Sequence, residues 1–128
     1  MGTRCLTIVK DNDQAIINMY AQWDGYPTGH GRALKDFLKP FIVSYGRVDK
    51  PNTANGAGCL AGQIIAHFKK GNGGFYIYAP DQRDIGEEFI YTVYINTDGE
   101  ICITVEDTSV DKPLYNGLIM DYVPTDPT

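Results

Sequence analysis

Apolar residues alternate with period two at both ends of this chain and enclose two helical patterns, and this arrangement most narrows what it can fold into. Thr3–Lys10 puts Leu6 and Ile8 on one face and Cys5, Thr7 and Val9 on the other. Ala15–Trp23 puts Ile17, Met19, Ala21 and Trp23 on one side. The intervening Asp11-Asn12-Asp13-Gln14 has turn chemistry, so the pair reads as an antiparallel hairpin. Toward the other end, Phe75–Ala79, Glu88–Ile95 and Ile101–Glu106 read as strands, and Asp98-Gly99 marks a hairpin between the last two.

Between these groups, Leu34, Phe37, Leu38 and Phe41 recur at helical spacing within Arg32–Phe41, where Pro40 ends or kinks the pattern. Ile42–Tyr45 is a short extended piece, followed by a polar loop, Gly46–Asn55. A second helix over Cys59–Lys70 carries Leu60, Ile64 and Phe68 on one stripe and stops at Gly71-Asn72-Gly73-Gly74. The order β-β-α-α-β-β-β predicts an α+β fold: an antiparallel sheet with two helices packed on one face. At 128 residues and 43% hydrophobic content the chain has one core. We expect a single α+β domain over 1–106 and a C-terminal extension or arm over 107–128, in which Leu114–Tyr122 forms a further strand or packs on a neighbour.

The net charge of −5 argues against binding to a nucleic acid polymer or an anionic membrane. The charge is unevenly placed, with seven basic and two acidic residues in 32–70 against four and fourteen elsewhere. A cationic middle in an acidic protein suits a small anion, although lysines such as Lys69 and Lys70 also complement helix C-termini. No apolar stretch approaches the roughly 20 residues of a membrane span, and no secretory leader is expected. The odd, widely spaced Cys5, Cys59 and Cys102 read as reduced, mostly buried thiols of a cytoplasmic protein.

Candidate chemistry lies mainly in loops. Asp24-Gly25-Tyr26-Pro27-Thr28-Gly29-His30-Gly31 has three glycines and a proline in eight residues just before a helix, whose first N–H groups attract anions. His30 is suited to phosphate donation or acid–base work; a tight turn ordered by Asp24 is the structural alternative. Asn55-Gly56-Ala57-Gly58-Cys59 repeats the pattern at the second helix entrance without the Gly-Lys-Ser/Thr of a phosphate-binding loop. Its alternative is close helix packing through Gly58, Ala61 and Gly62. His67 borders the apolar stripe and reads first as a packed histidine. Arg83 is suited to clamping a phosphate, and Glu88 to accepting from a ribose or base edge, unless both belong to a solvated loop. Tyr76 and Tyr78 share a strand face fit for ring stacking. No metal signature and no nucleophilic set is legible, so neither metal nor cofactor is expected.

Met1-Gly2-Thr3-Arg4, Gln22-x-Asp24-Gly25-Tyr26-Pro27-x-Gly29-His30-Gly31, Ala54-Asn55-Gly56-x-Gly58-Cys59-Leu60-Ala61, Ala66-His67-Phe68-Lys69, Gly73-Gly74-Phe75-Tyr76 and Arg83-Asp84-x-Gly86-Glu87-Glu88 together resemble a family of small uncharacterised phage and prophage proteins. The resemblance covers residues 1–106. It implies a viral setting in the host cytoplasm, where small proteins counter host defence, some by sequestering nucleotide signals. Our reading is a non-enzymatic binder of a small phosphorylated, nucleotide-derived molecule, working as a homo-oligomer. In it Gly56, Gly58 and Arg83 hold phosphate, Tyr26 and His30 contact the ligand, Asp24 orients the loop, and Asn55, His67 and Glu88 complete the site. Two alternatives are a hydrolase or phosphodiesterase using His30, Asp24 and His67, and a protein-binding inhibitor of a host defence complex of the anti-CRISPR kind.

Overall fold

A computed structural model describes residues 2–127. Strands β1 (Cys5–Asp11) and β2 (Gln14–Ala21) form the expected hairpin. Asn12 and Asp13, both at positive φ (50° and 65°), make its two-residue turn, the conformation in which Asn and Asp are tolerated. A single wide turn, Pro27–Gly31, runs into helix α1 (Arg32–Leu38), which stops short of Pro40. Strands β3 (Ile42–Ser44) and β4 (Thr53–Asn55) pair in parallel, so the end of the polar loop is ordered as a small second sheet. Helix α2 (Gly56–Phe68) starts a turn earlier than its apolar stripe, and β5 (Phe75–Tyr78), β6 (Phe89–Ile95) and β7 (Ile101–Asp107) follow.

The α+β class holds, and both helices pack on one face of a six-stranded sheet of order β5-β2-β1-β6-β7 plus a last strand, β8 (Tyr115–Leu118). The sheet is mixed rather than antiparallel throughout, because β1 and β6 run parallel through Cys5–Val9 and Phe89–Val93. Alternation assigns faces but not neighbours. The feature that marks this pairing is burial on both sides of β1, as in parallel sheets. The segment after residue 106 joins the sheet: β8 pairs with β7, and Ile119 and Tyr122 are buried beyond it.

The helical side of the core gathers Cys5, Val9, Met19 and Ala21 from the first hairpin with Tyr91, Val93, Ile103 and Val105. Leu34 and Leu38 of α1 and Leu60, Ala61 and Ile64 of α2 close over them. Truncating any of these large side chains costs about 2–5 kcal/mol. The chain from edge strand β5 must pass β2 and β1 to reach β6. It does so on the face away from the helices, where Asn18 Nδ2 donates to the carbonyls of Ala79 (3.1 Å) and Gln82 (2.9 Å). This crossing loop leaves Leu6 and Ile8 fully buried without any helix above them. Cys5 and Cys102 are buried thiols, and Cys59 is exposed. No helix is long and apolar enough to cross a membrane.

Candidate functional site

The glycine-rich segment between β2 and α1 is fitted to the sheet from below. Tyr91 Oη donates to the Gly25 carbonyl at 2.7 Å, and the Gly25 N–H donates to the Thr3 carbonyl at 2.9 Å. A Cβ on Gly25 would lie 2.8 Å from Cys5 Cβ, and one on Gly29 2.5 Å from the Asp24 carbonyl oxygen. One on Gly31 would lie 2.7 Å from Tyr122 Oη. These three glycines are therefore set by close approach; the residue at positive φ is Asp24, at 60°. The tail completes the fastening: Asp126 accepts from the Thr28 N–H (2.9 Å) and hydroxyl (2.6 Å), and Lys35 Nζ donates to the Met120 and Tyr122 carbonyls.

His30 lies inside this arrangement, only 5% exposed. Its Nε2 shares a 2.7 Å hydrogen bond with the buried Thr7 hydroxyl, and its ring packs against Phe68 (4.9 Å), Tyr91 (5.5 Å) and Phe75 (5.8 Å). Burial pushes its pKa down to about 4, so the imidazole is neutral at pH 7. Its ring lines the floor of a cleft.

That cleft, of about 330 Å³, is lined by Trp23, Asp24, Tyr26, Gly29, His30, Ala33, Phe68 and Phe75. Trp23 is 54% exposed, and Tyr26 forms part of the rim. Asp24 orders the turn through its carbonyl, which accepts from the His30 N–H at 2.8 Å, so its exposed carboxylate is left at the cleft edge. Three of the aromatic walls, Trp23, Phe68 and Phe75, were not singled out as ligand contacts from sequence. The available signal was that the chain's single tryptophan directly precedes the Asp24 loop.

The second helix entrance lies elsewhere. Phe68, at the end of α2, lines the His30 cleft, while Ala57, at its start, lines a separate cleft with Lys10, Asp11 and Tyr45. Thirteen helical residues hold these ends about 18 Å apart. Asn55 leaves the α2 amides uncapped, because its Oδ1 accepts from the Gly46 N–H at 2.8 Å. Gly56 and Gly58 have nothing within 4 Å of a notional Cβ, so Gly58 and Gly62 do not mediate helix packing; Ala61 is the buried member of that trio.

The remaining candidates are also dispersed. Arg83 donates to the Pro80 (3.0 Å) and Gln82 (2.8 Å) carbonyls of its own loop. Glu88 Oε2 accepts from the Arg4 N–H at 3.3 Å, at the start of β1. His67 is exposed and stacks on Phe37 at 4.0 Å and 16°. Tyr76 and Tyr78 each pack edgewise or tilted against Tyr20, at 6.2 and 5.7 Å, and both stay exposed. The cationic middle is spread out: Lys35 and Lys69 bind backbone carbonyls and Arg47 pairs with Asp49. The structure thus unites Asp24, Tyr26 and His30 in one cleft and leaves Asn55, Gly56, Gly58, His67, Arg83 and Glu88 outside it. Among the described residues no cluster of three His, Cys, Asp or Glu side chains is gathered that would hold a metal ion. No family model, curated protein or solved structure matches this chain.

Proposed function

We propose that this chain binds the planar ring of a small nucleotide-derived molecule in the Trp23 cleft and sequesters it unchanged, as a phage counter-defence protein would. The carrying observation is a cleft of about 330 Å³ walled by Trp23, Tyr26, Phe68 and Phe75 over the His30 ring. Such walls suit a flat heterocycle, since stacking on an aromatic side chain contributes about 1–3 kcal/mol per base. The Asp24 carboxylate at the edge is an acceptor suited to the N–H groups of a base. Sequestration rather than turnover is supported by the burial of His30, whose Nε2 is already bonded to the buried Thr7 hydroxyl.

The test uses the single tryptophan as its reporter. Purines, nucleosides, nucleotides and cyclic dinucleotides are titrated while Trp23 fluorescence and binding heat are followed. We expect a saturable fluorescence change with chemically unaltered ligand recovered, and a loss of affinity of about tenfold or more by calorimetry in Trp23→Ala. If no member of the panel binds, the reading fails; if the ligand is recovered hydrolysed, the chain is an enzyme.

A further inference from the structure

Resting on that reading, we infer that the ring held in the Trp23 cleft is a cation: an N-alkylated heterocycle, either a pyridinium or an N-methylated purine. Trp23, Tyr26, Phe68 and Phe75 line the cleft together with Asp24, and no Lys or Arg lines it. Lys10, Lys39 or Arg4 lines each of four other clefts. The face of an aromatic ring is the negative part of its quadrupole and attracts a cation, most strongly in tryptophan. A neutral heterocycle gains stacking alone, whereas a cationic one also gains the attraction of the ring faces and of the Asp24 carboxylate.

Two of these rings are unclaimed. Among the described residues, Phe68 and Phe75 pack on each other at 5.7 Å and on His30, while neither Trp23 nor Tyr26 packs on another ring. Trp23 is 54% exposed and Tyr26 37%. Glycines lie beside both: a Cβ on Gly29 would be 3.0 Å from Tyr26 Cε2, and one on Gly74 3.7 Å from Trp23 Cζ2.

The neighbouring bases add no positive charge to the cleft. His30 is neutral at pH 7. Lys69 follows Phe68, but its Nζ donates to the Gly73 (3.0 Å) and Phe75 (2.7 Å) carbonyls. That ammonium lies 5.4 Å from the centre of the Tyr76 ring, on the opposite face of β5 from the Phe75 side chain. Lys35 donates to the Met120 and Tyr122 carbonyls. Asp24 is thus left as the formal charge of the site.

The experiment compares ligands that differ in ring charge and little in shape, by calorimetry on the full chain: N1-methylnicotinamide with nicotinamide, NAD+ with NADH, and N1-methyladenosine with adenosine. In the wild type the cationic member of at least one kind of ring binds about tenfold or more tightly than its neutral partner, and the gap narrows as salt is raised. A gap confined to the nicotinamide pairs assigns a pyridinium, and one confined to the adenosine pair an N-methylated purine. Asp24→Asn, which keeps a residue tolerant of φ 60°, shrinks the gap to about threefold or less. Trp23→Phe keeps a flat wall and weakens the cation more than its neutral partner. Thermal melting confirms that each variant folds; if neither does, the wild-type pairs decide. Equal or reversed affinities within every wild-type pair, or a gap unchanged in both folded variants, overturn the charge assignment and leave the ring-binding reading standing. Failure of every compound to bind overturns both.

Discussion

The two helix entrances are both rich in glycine, yet they differ in nearly every physical respect. Before α1, Gly25, Gly29 and Gly31 lie where no Cβ fits, with Tyr91 beneath them and Tyr122 and Asp126 fastening the tail over them. Before α2, Gly56 and Gly58 face open space and the helix amides are uncapped. The first entrance is a packed part of the core that shapes an aromatic cleft; the second is solvated. Glycine content reports permissiveness alone, and whether it is used for close packing or for an unusual φ depends on what surrounds it.

The strongest way to break the comparison is to add one methyl group at the closed entrance. Gly25→Ala would press on Cys5 Cβ at 2.8 Å and on the Arg4 and Cys5 backbone at 2.9 Å, in a central strand that cannot shift. We expect a loss of about 3 kcal/mol, read as a lower urea midpoint.

Acid attacks the same entrance through His30. Its pKa in the folded state is about 4 against 6.5 unperturbed, so the unfolded chain takes up the proton more readily. Stability is therefore intact above about pH 6.5 and falls as the pH drops toward 4. Between pH 7 and 5 the expected loss is about 2 kcal/mol. Urea titrations at the two pH values measure it, and His30→Gln should flatten that slope even if it is less stable at pH 7.

The smallest effects belong to the open entrance, where two neighbouring glycines should respond with opposite signs. Gly56, at φ 76°, is strained by any side chain, so Gly56→Ala should cost about 1 kcal/mol although the space is empty. Gly58, inside the helix and exposed, should gain about 0.5–1 kcal/mol on replacement by Ala. Equal responses at Gly25 and Gly58 would dissolve the distinction between the two entrances.

Much of the fold was legible because periodicity is a local property. The Asn12-Asp13 hairpin, the faces of β1 and β2, the α1 stripe and the β6–β7 hairpin all follow from residues within a few positions of one another. The site was less legible. Asp24, Tyr26 and His30 do share a cleft, but its other aromatic walls come from Phe68 and Phe75, some forty residues further along the chain. Arg83 lies outside the cleft, and its Nη1 donates to two carbonyls of its own loop.

By itself the sequence determined the element types, their approximate limits and the α+β class, since side-chain spacing of two or 3.6 acts through nearest neighbours along the chain. Only the tertiary structure decided that β1 and β6 run side by side in parallel, that the crossing loop seals the far face, and that the ends of α2 serve different clefts. Those outcomes rest on long-range pairing and excluded volume, which depend on residues far apart in the chain meeting in space. The same holds for His30: flanked by glycines it reads as exposed and reactive, and the Thr7 hydroxyl and three aromatic rings make it a neutral part of the core.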